Sequence, residues 1–156
     1  MAKELFIMCG APGSGKSTYV KEHAARGTSA HISRDNIRFA MVSEKEEYFS
    51  KEKEVYTEFV KQASDALHAP WIDEVWVDAT NMTKKSRLKL LRDITFPDES
   101  VYVYVVRIMP NLETCLAQND RRRGRACVPE TAIRRIYESY EDPWDDGYEY
   151  EEVYEL

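Results

Sequence analysis

The sequence predicts an α/β domain with a parallel sheet of about five strands flanked by helices and an arginine-rich helical lid. Three observations predict it. The apolar run ELFIMCG (4–10) leads without a break into the glycine-rich stretch GAPGSGKST (10–18). Further short apolar runs alternate with segments whose apolar residues recur at helical spacing, and such alternation builds a parallel sheet covered on both faces. Near the end, DRRRGRACVPE (120–130) sets four arginines around one glycine between two helical patterns.

Residues 4–10 are continuously apolar and end on glycine, as suits a buried parallel strand entering a loop. A helix is expected from Ser17 and Thr18, with Tyr19, Val20, His23 and Ala24 on one face and Gly27 beyond its end. AHIS (30–33) is a short strand and RDNIRFAM (34–41) a short helix. Residues 51–68 place Val55, Phe59, Val60, Ala63 and Leu67 at helical spacing, with Pro70 after them. EVWVDAT (74–80) is a third strand that delivers a carboxylate to its end. Leu88, Leu90, Leu91 and Ile94 among charges make 83–94 helical. β-branched and aromatic residues decide strand over helix for VYVYVVRI (101–108). Two helices follow, 111–121 and 129–141, the second with Pro129 in its first turn. EEVYEL (151–156) is expected as a last strand, against the alternative of a disordered acidic tail. The whole reads as one domain, 1–156, with the lid at about 111–141 and an acidic segment at 141–156. Crossovers are expected to be right-handed.

Composition narrows the possibilities. No apolar run approaches the ~20 residues that span a bilayer. Met1 leads within a few residues into the glycine-rich loop, so no signal peptide is expected. Cys9, Cys115 and Cys127 are odd in number and lack C-x-x-C pairing, which argues for reduced thiols in a cytoplasmic setting and against a disulfide framework or zinc site. The net charge of −6 is uneven. Residues 141–156 hold eight acids and no Lys or Arg, which leaves 22 basic against 20 acidic residues elsewhere. The sign of the total therefore says little about any one face. The basic cluster TKKSRLKLLR (83–92) reads as a solvated helix face.

GAPGSGKST has the form G-x-x-x-x-G-K-[ST], which cradles the phosphates of a nucleoside triphosphate, and it makes the expected fold the P-loop NTPase type. Gly10, Gly13 and Gly15 let backbone N–H groups face an anion without Cβ clashes. Ala11 and Ser14 complete the loop, and the helix beginning near Lys16 adds its positive end. Lys16 would reach the β- and γ-phosphates of ATP and Ser17 would bind Mg²⁺, with Thr18 as its first-turn neighbour.

Ligands in such sheets sit beyond the carboxyl ends of the strands, near the switch in strand order. That rule gathers the loop, Arg34–Asp35 and Asp78 around one cleft. Asp35 is a candidate general base for an acceptor hydroxyl, and Arg38, one helical turn on, a candidate anchor for an anionic acceptor. Equally, Asp35 could simply cap the short helix. Asp78 ends a strand where P-loop enzymes hold Mg²⁺, often through water; the competing reading is an Asx-type turn in which Asn81 serves the backbone. The arginine loop could close over a triphosphate and stabilise charge on the transferred group. The competing reading is a helix end carrying cations that favour its dipole. No N-K-x-D guanine-reading element is present, and the chain is short for a ring-forming motor.

In order and spacing, GAPGSGKST, SRDNIR (33–38), VDATN (77–81) and RRRGRACVP (121–129) resemble the kinase domain of polynucleotide 5′-hydroxyl kinases over about residues 4–142. EEYFSKEKEVYTEF (46–59) sits where that family has the helix after its base motif. The resemblance implies ATP and Mg²⁺ at Lys16 and Ser17, with Asp35 activating the 5′-hydroxyl. Arg38 would hold the acceptor phosphate, and Asp78 would support the acceptor pocket. Arg34, Asn81 and Val128 join the acceptor-binding set, and Asp78 joins Ser17 at the metal. The family's lid often reads R-N-x-x-R before V-P, but here Gln118 precedes Asn119. Counting from Asn119 selects Arg122 as the catalytic arginine; counting from the R-G pair selects Arg123, which is preferred, and both are kept. The acceptor would be a nucleic-acid 5′-hydroxyl end contacted over a few nucleotides, away from any membrane. No phosphatase or ligase segment is expected, so separate repair partners would supply other steps. Two rivals stand beside this reading: a small-molecule kinase acting on a sugar, nucleoside or antibiotic, and a non-catalytic ATP-binding switch.

Overall fold

The five expected strands form a single parallel sheet, and the order in which they lie places the glycine-rich loop at its centre. The computed structural model describes residues 2–124 and 127–156. The chain runs β1 (Lys3–Cys9), α1 (Lys16–His23), β2 (Ser29–Ser33), α2 (Arg34–Met41), α3 (Glu52–His68), β3 (Glu74–Asp78) and α4 (Lys84–Asp93). It continues with β4 (Val101–Arg107), α5 (Leu112–Asp120), α6 (Glu130–Glu138), a 3₁₀ turn (Pro143–Asp145) and β5 (Glu152–Glu155). The order across the sheet is β2-β3-β1-β4-β5, with every pair parallel. The direction of winding reverses beside β1, which has β3 on one side and β4 on the other. That reversal opens the crevice in which such sheets bind ligands.

Burial explains the strand assignments. Leu5, Ile7, Met8 and Cys9 of β1 are fully buried, as expected of a central strand covered on both faces. One face packs on Val55, Phe59, Ala63 and Leu67 of α3, Leu90 and Leu91 of α4 and Ile133 of α6. The other face meets Val20 of α1 and is largely aromatic: the Phe6 ring stacks on Trp76 at 4.0 Å and on Tyr104 at 4.8 Å between centroids. Among the described residues, no helix is long and apolar enough to cross a membrane.

Two differences from expectation have physical causes. The third strand stops at Asp78 rather than at residue 80. There the Thr80 carbonyl accepts from Gly10 N (2.9 Å), and Asn81 takes a positive φ of 43° that turns the chain. The expected last strand forms, since β5 extends the sheet in register, Tyr104 opposite Glu152 and Val105 opposite Val153, and the alternative of a disordered acidic tail does not hold. Finally, the 83–92 cluster is only partly a solvated face. Arg87 is wholly buried and forms a two-pronged ion pair with the equally buried Asp146, Nε to Oδ2 at 2.7 Å and Nη2 to Oδ1 at 2.8 Å. The same guanidinium donates to the carbonyls of Asn81 (2.8 Å) and Glu141 (2.7 Å).

Breaking a buried ion pair by removing one partner leaves an uncompensated charge, at roughly 3–5 kcal/mol. Arg87→Ala and Asp146→Ala are each expected to lower the unfolding free energy by about that amount. The double replacement Arg87→Met with Asp146→Leu is expected to cost less than either single change. Urea denaturation of the variants checks the order.

Candidate active site

The glycine-rich loop between β1 and α1 owes its shape to contacts that leave no room for side chains. A Cβ on Gly10 would lie 2.5 Å from the Ile108 carbonyl oxygen and 2.6 Å from Ser14 Oγ. One on Gly13, whose φ is +82°, would lie 2.4 Å from the Cys115 carbonyl oxygen. Gly15 precedes the first turn of α1 in the left-handed region, and no side chain caps that turn. The helix therefore presents its leading N–H groups and its positive end to whatever fills the cradle. Ser14 Oγ is buried and finds no hydrogen-bond partner among the described residues. Ala11 contributes its carbonyl, which accepts from Lys16 Nζ at 3.0 Å. Thr18 follows Ser17 within the first turn of α1.

Lys16 is buried, and that burial holds its ammonium below the usual lysine range; the charges of Asp78 and Asp35 offset part of the shift. The two carboxylates come from the ends of neighbouring strands, since Ser33 of β2 pairs with Asp78 of β3. Asp78 Oδ2 accepts from Ser17 Oγ at 2.7 Å and lies 2.8 Å from His31 Nε2. Burial pushes this carboxyl up, but the His31 hydrogen bond, the Lys16 charge and the Ser17 hydroxyl outweigh it and leave it below its ordinary value. Ser17 and Asp78 thus set two hard oxygen donors side by side under a cationic loop. This is a donor set suited to Mg²⁺, which takes few protein ligands and completes its shell with water and phosphate oxygens. No group of three or more His, Cys, Asp or Glu side chains that could hold a metal ion occurs among the described residues.

Asp35 does not cap α2. Ser33 does, accepting from Asn36 N at 3.2 Å. The Asp35 carboxylate is more than half exposed and accepts from Arg38 Nη1 at 2.6 Å. It lines the same cavity of about 230 Å³ as Lys16, Ser17, Arg34, Arg38 and Asp78. Arg38 is buried beneath Tyr48 and Phe49, its guanidinium 4.9 and 5.2 Å from their ring centroids. Its Nε and Nη2 donate to the two oxygens of Glu52 at 2.5 and 2.9 Å. Arg34 Nη2 lies 3.3 Å from the same carboxylate.

The far wall comes from the lid between α5 and α6. Arg122 and Val128 line the cavity, whereas Arg123 is exposed and Arg121 likewise. Of the two candidate arginines, Arg122 is the one at the cavity. Arg125 and Ala126 lie outside the described residues. Asn119 explains the register: its side-chain nitrogen donates to the Val128 carbonyl (2.7 Å) while Val128 N donates back to its Oδ1 (2.9 Å). This two-way amide pairing closes the lid loop and holds Val128 at the cavity.

Asn81 donates from its side-chain nitrogen to the Met8 carbonyl at 2.8 Å, so its amide serves the β1 backbone, and it lines the neighbouring cleft between α3 and α4 and not the cavity that holds Asp35. Three residues of the site went unforeseen. His31 becomes visible only through the β2–β3 register. Glu52 lies within a run of alternating charges that resembles any exposed helix start. Tyr48 gave no signal beyond being aromatic.

The sequence profile of a family described as an AAA domain matches residues 5–143. Among solved structures, a fungal RNA kinase aligns with a TM-score of 0.64 at 16% identity over 100% of this chain and 75% of its own. A chain of the Pnkp1/Rnl/Hen1 RNA repair complex aligns at 0.68 and 21% identity, over 88% of this chain and 44% of its own. A gluconokinase from Sinorhizobium meliloti 1021 aligns at 0.59 and 14% identity, over 99% and 81%. At these identities the likeness is one of fold.

The contacts at Gly13 give a direct check on the cradle. Gly13→Ala is expected to weaken binding of a fluorescent ATP analogue at least tenfold, because both the positive φ and the Cys115 carbonyl oppose the new methyl. Titration of the analogue against parent and variant reads the change.

Proposed function

This chain belongs to the family described as an AAA domain, and from the geometry of its cavity we propose that it is an ATP-dependent kinase that phosphorylates the 5′-hydroxyl of a polynucleotide end. The observation that carries the reading is that Asp35, Lys16, Ser17 and Arg122 line one cavity at the carboxyl ends of the strands. A protein that only held nucleotide would have no use for a carboxylate fixed by an arginine on the side away from the phosphate loop. The ordered motifs SRDNIR and VDATN support this acceptor class by their resemblance to polynucleotide kinases, and an RNA kinase and an RNA repair chain share the fold.

Lys16 and the loop amides would bind the triphosphate and align its γ-phosphorus. Ser17, with Asp78 behind it, would hold Mg²⁺, which supplies charge neutralisation on the β- and γ-phosphates. Arg38 fixes the carboxylate of Asp35, and that carboxylate would take the proton from the acceptor hydroxyl. The acceptor oxygen bonds to the γ-phosphorus as the bond to the β,γ-bridging oxygen breaks, and ADP departs. Arg122, carried in by the lid, would neutralise charge on the transferred group. His31 orients Asp78. Arg34, Arg38 and Val128 would contact the acceptor, and separate repair partners would perform other steps.

One observation favours a second reading, a small-molecule kinase. Glu52 already accepts from both arginines of the acceptor wall, so a neutral sugar could bind without displacing it; the gluconokinase shares the fold. A panel of acceptors with γ-labelled ATP separates the two: 5′-hydroxyl RNA, 5′-hydroxyl DNA, nucleoside 3′-monophosphates and small alcohols. Labelling of the alcohols alone would overturn the polynucleotide reading. Asp35→Ala is expected to abolish transfer while ATP affinity stays within about twofold. Arg122→Ala is expected to lower turnover by ~10³-fold and Arg123→Ala far less. Equal activity of Asp35→Ala and parent would remove the general base.

A further inference from the structure

Next to the cavity just described lies a second one, of about 620 Å³, in the cleft between α3 and α4. It is large enough for a small ligand. Arg34 is the residue that lines both, so its guanidinium stands at the junction. Arg34 Nε is buried and has no hydrogen-bond partner among the described residues, while its Nη2 touches Glu52 only at 3.3 Å. Beyond Arg34 the walls carry Lys53 from α3 and Lys89 from α4, both exposed. Between the cations sits Tyr56, with Arg34 at 5.4 Å and Lys89 at 3.9 Å from its ring centroid. The acid in the cleft is Asp93, which accepts from Tyr56 Oη (2.8 Å) and Lys89 Nζ (2.7 Å). The Lys89–Asp93 pair is partly exposed, at 45% and 31%, and pairs of that kind are held weakly. With Glu52 on Arg34 included, three cations stand against two carboxylates, and the cleft keeps one positive charge in excess although the chain as a whole is negative.

We infer that the α3–α4 cleft binds the phosphodiester backbone of the acceptor strand just 3′ of the reacting nucleotide, with Arg34, Lys53 and Lys89 as its phosphate contacts. This rests on the kinase reading above. The unpartnered Arg34 Nε meets the first phosphate as the strand leaves the catalytic cavity. Lys53 and Lys89 meet the next ones. Backbone contacts of this kind position a strand without reading its sequence, so the gain depends on chain length and not on base identity.

The test compares kcat/KM for a nucleoside 3′-monophosphate with that for a 5′-hydroxyl trinucleotide. For the parent, the trinucleotide is expected to be about tenfold better, the scale of one charge-assisted hydrogen bond. In the double variant Lys53→Ala, Lys89→Ala the ratio is expected to fall below about threefold. Lys61→Ala with Lys85→Ala removes the same charge from the same two helices outside the cleft, and the ratio is expected to stay near the parent's. Phosphorylation of the mononucleotide with no gain from added nucleotides would overturn the cleft and leave the kinase reading intact. Equal loss in both double variants would also overturn it, since the effect would then be diffuse charge. Failure of the parent to phosphorylate any nucleotide would overturn both.

Discussion

The site lies beyond the ends of β1, β2 and β3, and behind it the guanidinium of Arg87 ties the turn after β3 to the segment that leads into β5. It reaches the turn after β3 through the Asn81 carbonyl, the segment after α6 through Glu141 and the strand-ward side of β5 through Asp146. Asn81 in turn holds the Met8 carbonyl, two residues ahead of the phosphate loop. Three segments distant in sequence therefore share one buried cation. Burying two charges carries a desolvation cost that their attraction repays only with further hydrogen bonds, and here the two carbonyls complete the set. The acidic segment that leads into β5 supplies the counter-charge.

The same logic governs the cavity itself. Lys16, Arg34, Arg38 and Arg122 face Asp35, Asp78 and Glu52 around a space of about 230 Å³. With the cations so crowded, each carboxylate holds one of them in place: Asp78 offsets the burial of Lys16, and Glu52 keeps Arg38 and Arg34 side by side. A polyanionic ligand entering this space meets cations that are already desolvated and oriented, which is where such contacts gain most.

How much of this was legible follows from which signals are local. Strand and helix types came through because periodicity and β-branching act within a few residues, and the P-loop came through because its glycines are needed by the backbone. Asp35 was ambiguous by position, and only the geometry of Ser33, whose hydroxyl caps α2, removed the alternative. Arg87 was misread because its partner Asp146 is 59 residues away; nothing in TKKSRLKLLR distinguishes it from its solvated neighbours. His31 and Glu52 share that difficulty, since each acquires its role from a residue on another element. Which of the two candidate arginines lies at the cavity turned on register, which Asn119 sets by pairing with a backbone nine residues on.

Glu52 is the residue on which the acceptor class turns. Two guanidinia one helical turn apart on α2 repel each other unless an anion stands between them, and the chain provides that anion itself. A neutral acceptor would leave this arrangement untouched and would gain nothing from either arginine. A phosphate-bearing acceptor must share or displace the carboxylate, and in return it meets two oriented cations whose bidentate geometry matches phosphate oxygens. Arg34 lowers the cost of that exchange, because it is bound to Glu52 by only one long contact and keeps Nε in reserve. On the proposed kinase reading, a wall with a spare, buried guanidinium donor would match a phosphodiester better than a sugar hydroxyl.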